Sequence, residues 1–318
     1  FLIPNFSLTK KRIYLNVSPT ISKDSIVFNY AYIKYEIKDS ELIFGRFHPT
    51  LSSENHEISS GSMIESRNTI PIPRIGLSTV KEFKGLKFKF ELYHGLMEKN
   101  NQITKAPFLH DKKLYISKDF EKWILSGGLH QVTIWGGGSK EYGIQPSSFE
   151  DFVRVFFGDK SKDNRGTIED QGNALGDVRG MWDISLRTNT KINYIKTYYQ
   201  IFFEDKSGLR LNRYASYFDG LFGLELKYNN QLLLVERLKT TYQGGSTHPP
   251  GVDSYYYTRA YPPGWVYKQR TIGNAFISPL NNRVKMLYLY YNVSFDDYNL
   301  SFGHINGKYF YPFTEKID

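Results

Sequence analysis

From Lys191 to Asp205 the chain alternates strictly: Ile195, Thr197, Tyr199, Ile201 and Phe203 share one parity, while Lys196, Gln200 and Glu204 share the other with Tyr194, Tyr198 and Phe202. Successive side chains of a strand point to opposite faces, so this period of two predicts a strand with different company on each side. Leu221–Tyr228 repeats the pattern, with Phe222, Leu224, Leu226 and Tyr228 against Gly223, Glu225 and Lys227. Asn229-Asn230 then leads into QLLLVERLKTTYQ. Asn tolerates the positive φ of a tight primed turn, so three consecutive antiparallel strands are expected here.

The same reading extends along the chain. Ile13–Val17, Ile26–Ile37, Glu41–Phe47, Lys112–Ile116, Lys122–Trp135, Val178–Leu186 and Arg283–Phe295 all read as strands. Gly85–His94 is the cleanest, with Leu86, Phe88, Phe90 and Leu92 opposite Lys87, Lys89, Glu91 and Tyr93. The result is roughly a dozen or more strands at the spacing of a meander. Between them, Thr50–Asn68 is rich in Ser, Glu, Asn and Gly and reads as a long exposed loop, and Pro71 and Pro73 mark the start of a strand. Ser147–Phe157 switches to helical spacing, with Phe149, Phe152, Val153 and Phe156 on one face and a capping box at its start. This predicts one short amphipathic helix, packed into or over the sheet or lying on a membrane surface. Asp159–Asn173 reads as a polar loop. After Gln243 comes a stretch too rich in Gly and Pro for a strand and too aromatic for a disordered linker, expected to be a packed plug or a binding surface.

Composition decides what such strands build. Aromatic residues are 16% of the 318, including 25 Tyr and 23 Phe, yet mean hydropathy is −0.45. A transmembrane barrel combines these features, because lipid-facing and lumen-facing positions average out while Tyr and Phe gather at the two interfaces. A large soluble sandwich or propeller is the alternative. No apolar run reaches the roughly 18 residues of a membrane helix. The expected fold is therefore all-β: an antiparallel transmembrane β-barrel with one short amphipathic helix and long loops. It forms a single domain over residues 1–318, or an incomplete portion of such a barrel, since no leader precedes the first strand and the chain ends at PFTEKID. The Leu86 and Phe222 faces should look toward lipid, and Lys87, Lys89, Glu91, Glu225 and Lys227 into the lumen.

Chemistry enters through charge. The formal net charge of +9 favours an anionic partner, but no dense basic block or nucleic-acid motif accompanies it, which argues against nucleic acid. With no cysteine, neither disulfides nor a Cys-based metal site is available. His110, His130 and His248 are too scattered for a metal-ligand spacing, and no cofactor motif occurs. Glu204 and Asp205, with Asp183 or Glu225, are the carboxylates that glycoside hydrolysis would need. Neighbours on a strand point to opposite faces, however, so Glu204 and Asp205 cannot flank one bond unless the strand ends there; the competing reading is a strand end turning at Asp205 to Gly208, with its carboxylates paired to lumenal Lys or Arg. Binding is better served. Trp135, Tyr242, Tyr255, Tyr256, Trp265 and Tyr267 lie in or beside Gly-rich loops near Arg237, Lys239, Gln243, Arg259 and Lys268. Flat rings suit the C–H faces of sugars and the cations suit uronate or phosphate, while girdle and plug packing is the competing role for each ring.

In order and spacing, APFLHDKKLYI, GLHQVTIWGGG, PSSFEDFVRVFFGD, NALGDVRGMWDISL, YYQIFFEDKSG, DGLFGLEL, ERLKTTYQGG, GVDSYYYTRAYPPGW and TIGNAFISP resemble the Wzi capsule-assembly family in its Bacteroidetes branch. The resemblance covers about Pro71 to Pro279. It implies a non-catalytic lectin in the outer membrane of a Gram-negative bacterium, embedded in the lipid bilayer and holding capsular or another anionic surface polysaccharide. Other outer-membrane proteins would be the partners of an assembly subunit. Two other readings stay open: an accessory barrel subunit of a larger outer-membrane assembly, and a secreted β-rich glycoside hydrolase.

Overall fold

The computed structural model describes residues 4–23, 26–49, 52–162, 165–204, 206–209, 219–243, 254–296 and 298–310. Fourteen strands join in one antiparallel sheet, each paired with its neighbours in chain order. They are β1 (Phe6–Lys10), β2 (Ile13–Ile21), β3 (Ile26–Ile37), β4 (Ser40–Arg46), β5 (Pro73–Phe83), β6 (Leu86–Leu96), β7 (Phe108–Phe120), β8 (Trp123–Trp135), β9 (Asp177–Thr188), β10 (Tyr194–Glu204), β11 (Gly220–Tyr228), β12 (Gln231–Lys239), β13 (Val284–Ser294) and β14 (Asn299–Tyr309). Among the described residues β1 pairs only with β2 and β14 only with β13.

The connections differ sharply between the two ends. At one end hairpins turn in a few residues, with Lys11, Lys38, Lys84, Glu121 and Asn229 at φ between 49° and 58°, the backbone that tight primed turns require. At the other end the strand pairs β4/β5, β6/β7, β8/β9, β10/β11 and β12/β13 are joined by long connections. Outer-membrane barrels place short turns on the periplasmic side and long loops outside, so the long-loop end is the extracellular one.

Register assigns each face, because directly paired residues point the same way. Leu92, Phe90 and Phe88 of β6 pair with Lys112, Leu114 and Ile116 of β7, and Leu226, Leu224 and Phe222 of β11 pair with Leu233, Val235 and Arg237 of β12. Exposed Phe44, Ile75, Leu114, Ile184 and Phe222 make the exterior apolar, and Tyr35, Phe83, Phe120, Trp123 and Tyr228 gather toward the short-turn end as an interfacial girdle. The opposite parity carries Lys113, Asp183, Gln200, Glu225 and Glu236, all buried. Polar inside and apolar outside is the inverse of a soluble sandwich, and it places the Leu86 and Phe222 faces toward lipid as the alternation predicts. Leu224→Arg should therefore cost roughly 2–4 kcal/mol in urea unfolding from bilayers. An unchanged midpoint would show that this face meets no lipid.

Three expectations are corrected. The described part of Thr50–Asn68 is not an exposed loop: Met63 and Ile64 are fully buried, and Glu54, Ser62 and Ser66 nearly so, because the segment turns into the lumen. Asp159–Asn173 contains a short helix, α2 (Ile168–Gly172), preceded by α1 (Phe149–Phe157). Finally, α1 packs through Phe152, Val155 and Phe156, whereas Phe149 and Val153 face outward. Its capping box is the expected one: Ser148 Oγ accepts from Asp151 N, and Gly158 closes the helix at φ 67°.

Candidate functional site

Two long loops interlock inside the extracellular end of the sheet. Trp265 Nε1 donates to Ile64 O at 2.6 Å, Ser66 N donates to Ile272 O at 2.8 Å, and Thr69 Oγ1 donates to Tyr267 O at 2.7 Å. Tyr256 OH donates to Met63 O and accepts from Asn274 N. The resulting plug touches the wall from β4 to β13, through Arg46 Nη1 to Tyr267 OH (3.1 Å) and Tyr288 OH to Ile58 O (2.9 Å). Strands so far apart in the sheet order reach one plug because the sheet curves around it.

Lumenal carboxylates seat this plug. Asp183 accepts from Ser53 N at 2.8 Å, Glu236 from Ser60 N at 2.7 Å, and Glu225 from Asn55 Nδ2 at 3.2 Å. Two of these carboxylates belong to repeated rows across three strands. Tyr115 of β7 lies over Gly128 of β8 and donates to Asp183 of β9, and Tyr198 of β10 lies over Gly223 of β11 and donates to Glu236 of β12. A Cβ on Gly223 would sit 2.0 Å from the Tyr198 ring, so glycine is what lets the ring cross the neighbouring strand. Glu204, singled out above as a hydrolytic carboxylate, accepts from Tyr256 N at 2.8 Å and lies 3.3 Å from Arg179 Nε; Asp205 lies outside the described residues.

Asp219, just before β11 at its extracellular end, accepts from Tyr242 N at 3.0 Å and Gln243 N at 2.5 Å, with Tyr255 OH at 3.3 Å. Burial pushes its carboxyl up to about 6, against the opposing pull of those donors. A carboxyl raised on folding keeps a proton that the unfolded chain has released. Its contribution is therefore complete below about pH 4 and is lost as pH rises through about 6. Stability measured from pH 4 to 7 should fall in wild type relative to Asp219→Asn, which has no such proton. Parallel pH profiles would remove Asp219 from the account.

The candidate binding residues divide into four groups. Tyr255, Tyr256, Trp265, Tyr267 and Gln243 are buried in the plug, so these rings offer no open face to a sugar, contrary to expectation. Trp135 is on the outer wall beneath α1, 5.9 Å from Phe152 between ring centroids. Arg237 and Lys239 share the outward parity of Leu233 and Val235, so they stand at the outer rim of the wall rather than beside the plug. Tyr242, Arg259 and Lys268 keep surface exposure at the extracellular end. His248 lies outside the described residues.

Lys268 lines an open cleft of about 720 Å³ between the β6–β7 connection and the plug. Its facing wall holds Glu98, Lys99, Asn100, Asn101 and Gln102, a run the alternation pattern passes over as a strand end. Asn100 Oδ1 accepts from Gln102 N and Ile103 N, both at 2.8 Å, which fixes the turn. Asn100 Nδ2 spans the cleft to Pro262 O at 3.1 Å, and Glu98 takes both Lys268 N and Lys268 Nζ at 2.6 Å. Lys268 and Gln269, at φ 51° and 62°, form the tip of a primed hairpin between Val266–Tyr267 and Arg270–Thr271. Lys99, Asn101 and Gln102 are exposed along the cleft.

These features define an antiparallel transmembrane β-barrel whose extracellular end is plugged by its own loops beside an open cleft. The model of the capsule assembly protein Wzi family matches residues 3–300, and the chain belongs to that family. The solved structure of Wzi, an outer-membrane protein involved in group 1 capsule assembly in Escherichia coli and described as a carbohydrate-binding β-barrel, superposes with a TM-score of 0.68 at 16% identity. That match covers 96% of this chain and 64% of the other, so the chain spans less than two thirds of that protein. OccD3 (OpdP) of Pseudomonas aeruginosa aligns with a TM-score of 0.37 at 8% identity over 98% of this chain and 81% of its own, too weak a likeness to carry an argument. Comparison with curated proteins gives no match.

Proposed function

We propose that this chain is a non-catalytic outer-membrane lectin that holds capsular or another anionic surface polysaccharide at the cell surface, with the cleft between residues 98–102 and Tyr261–Gln269 as its binding site. The cleft carries the reading. Side-chain amides both donate and accept and so match sugar hydroxyls, while Glu98 pairs with Lys268 and leaves Lys99 as the point charge that a uronate or phosphate needs. The openness of the site toward the extracellular side suits a long polymer. Membership of a capsule assembly family and the carbohydrate binding described for the Escherichia coli protein support the same class of ligand. The engagement of Asp183, Glu204, Glu225 and Glu236 in seating the plug supports a role without hydrolysis.

Purification from the native membrane in mild detergent, with mass analysis of what accompanies the protein, tests this proposal. A glycan containing acidic residues is the expected companion. A stoichiometric protein partner and no glycan would instead favour the assembly-subunit reading.

A further inference from the structure

Helix α1 lies on the outside of the wall. Phe152 packs 4.9 Å from the His94 ring, 5.7 Å from His110 and 5.9 Å from Trp135, and Lys112 Nζ donates to Phe156 O. His94, His110, Lys112 and Trp135 all have outward parity, as the pairs His94 with His110 and Phe108 with Trp135 require. Moving up β7 and β8 toward the extracellular end, the outward positions change character. Ile116, Leu114 and Leu129 give way to Lys112, Gln131, His110 and Thr133. Acyl chains suit the first set and not the second, so the hydrocarbon belt ends at about the level of Lys112. The helix begins to cover the wall at that level.

The inner side of α1 accounts for only part of its apolar surface. Phe149, Val153 and Phe157 recur at i, i+4 and i+8 and form a stripe that turns away from the wall; Phe149 is 80% and Phe157 62% exposed. Ile168 on the following short helix is 85% exposed. On the other exposed side of α1, Glu150 pairs with Arg154 at 3.0 Å and Lys162 at 3.2 Å. A short helix with large aromatic side chains along one exposed stripe and ion pairs along the other has the makeup of an interfacial helix.

We infer that α1 is seated in the outer boundary of the bilayer, with Phe149, Val153 and Phe157 inserted among the upper acyl chains of the lipid. The occupant follows from continuity: the stripe adjoins the lipid-facing belt of β6–β8 at the level where that belt ends. The helix also covers His94, His110, Gln131 and Thr133, the polar wall positions at and above that level. This inference is independent of the carbohydrate reading.

The chain has no cysteine, so single substitutions Phe149→Cys, Phe157→Cys, Leu114→Cys and Lys162→Cys can each carry one spin label. In protein reconstituted into phosphatidylcholine–phosphatidylglycerol bilayers, the collision ratio of oxygen to a water-soluble nickel chelate reports depth. Labels at 149 and 157 should show a ratio several-fold above that at 162 and below that at 114. Ratios at 149 and 157 equal to that at 162 would place the stripe in water and overturn the inference. Loss of access to both reagents would overturn it too, by showing protein rather than lipid over the stripe. Both phenylalanines are mostly exposed, so the variants should fold; Phe149→Asp and Phe157→Asp give a second readout, as a lower yield of reconstituted protein.

Discussion

Trp265→Ala should lower stability to urea by roughly 3–5 kcal/mol, a typical cost for deleting a buried tryptophan. The ring is 1% exposed, its Nε1 binds Ile64 O, and the Arg179 guanidinium lies 5.2 Å from its centroid. It therefore ties the segment after Ser254 to the segment around Ile64, which is where the two halves of the plug meet. Limited proteolysis separates loosening of the plug from loss of the wall. New cleavage within 254–283, with the strands still resistant, is the expected pattern. Trp265→Phe keeps part of the packing but loses the hydrogen bond and one ring of the indole, so its cost should be smaller, at roughly 1–3 kcal/mol. If Trp265→Ala keeps both midpoint and protection, the plug is not held as described.

Arg74→Ala should be comparably damaging, at roughly 3–5 kcal/mol, because it strands buried charge. From the second position of β5, Arg74 reaches Glu65 of the plug at 2.7 Å and Asp111 of β7 at 2.9 Å, and Asp111 in turn lies 2.9 Å from His130 Nε2. Burial opposes the ionisation of Glu65, but Arg74, His48 and Lys113 outweigh it and hold its carboxyl down to about 2. A carboxyl lowered in this way adds stability above its unfolded range, lost as pH falls through about 2. Unfolding of Arg74→Ala beside Arg74→Met combined with Glu65→Gln is the discriminating comparison. The double variant removes the Arg74–Glu65 pair and leaves Asp111 to His130, so it should recover part of the loss. A single variant no worse than the double one would mean that the charges are not coupled across the plug.

How much of this was legible in the sequence depends on which solvent a residue faces. Alternation exposes the wall, because lipid and lumen impose opposite polarity on successive residues: Leu224 outward and Glu225 inward could be read directly. The Asn229 turn and the Ser148 cap were legible for local reasons of backbone geometry. The plug was not. Ser53, Asn55 and Ser60 look like water-facing residues, but a lumen lined by Asp183, Glu225 and Glu236 offers the same hydrogen-bond partners as water. Trp265 and Tyr256 misled in the other direction, since an aromatic residue on an irregular loop packs or binds with equal ease. The cleft was missed because its residues end one strand. The available signal was the amide cluster of Asn100, Asn101 and Gln102, too short to show periodicity.

The central claim, an anionic glycan held in the cleft beside Lys99, is tested most directly by titrating purified protein with an acidic and a neutral polysaccharide at 0.1 M and 1 M salt, in wild type and in Lys99→Ala combined with Asn101→Ala. Exposed charges are screened as the Debye length falls from about 10 Å to about 3 Å over that range. The account predicts tighter binding of the acidic polymer at low salt, a preference that shrinks at high salt, and weaker binding of both polymers by the variant. Binding that is equal for both polymers, insensitive to salt and unchanged in the variant would contradict it.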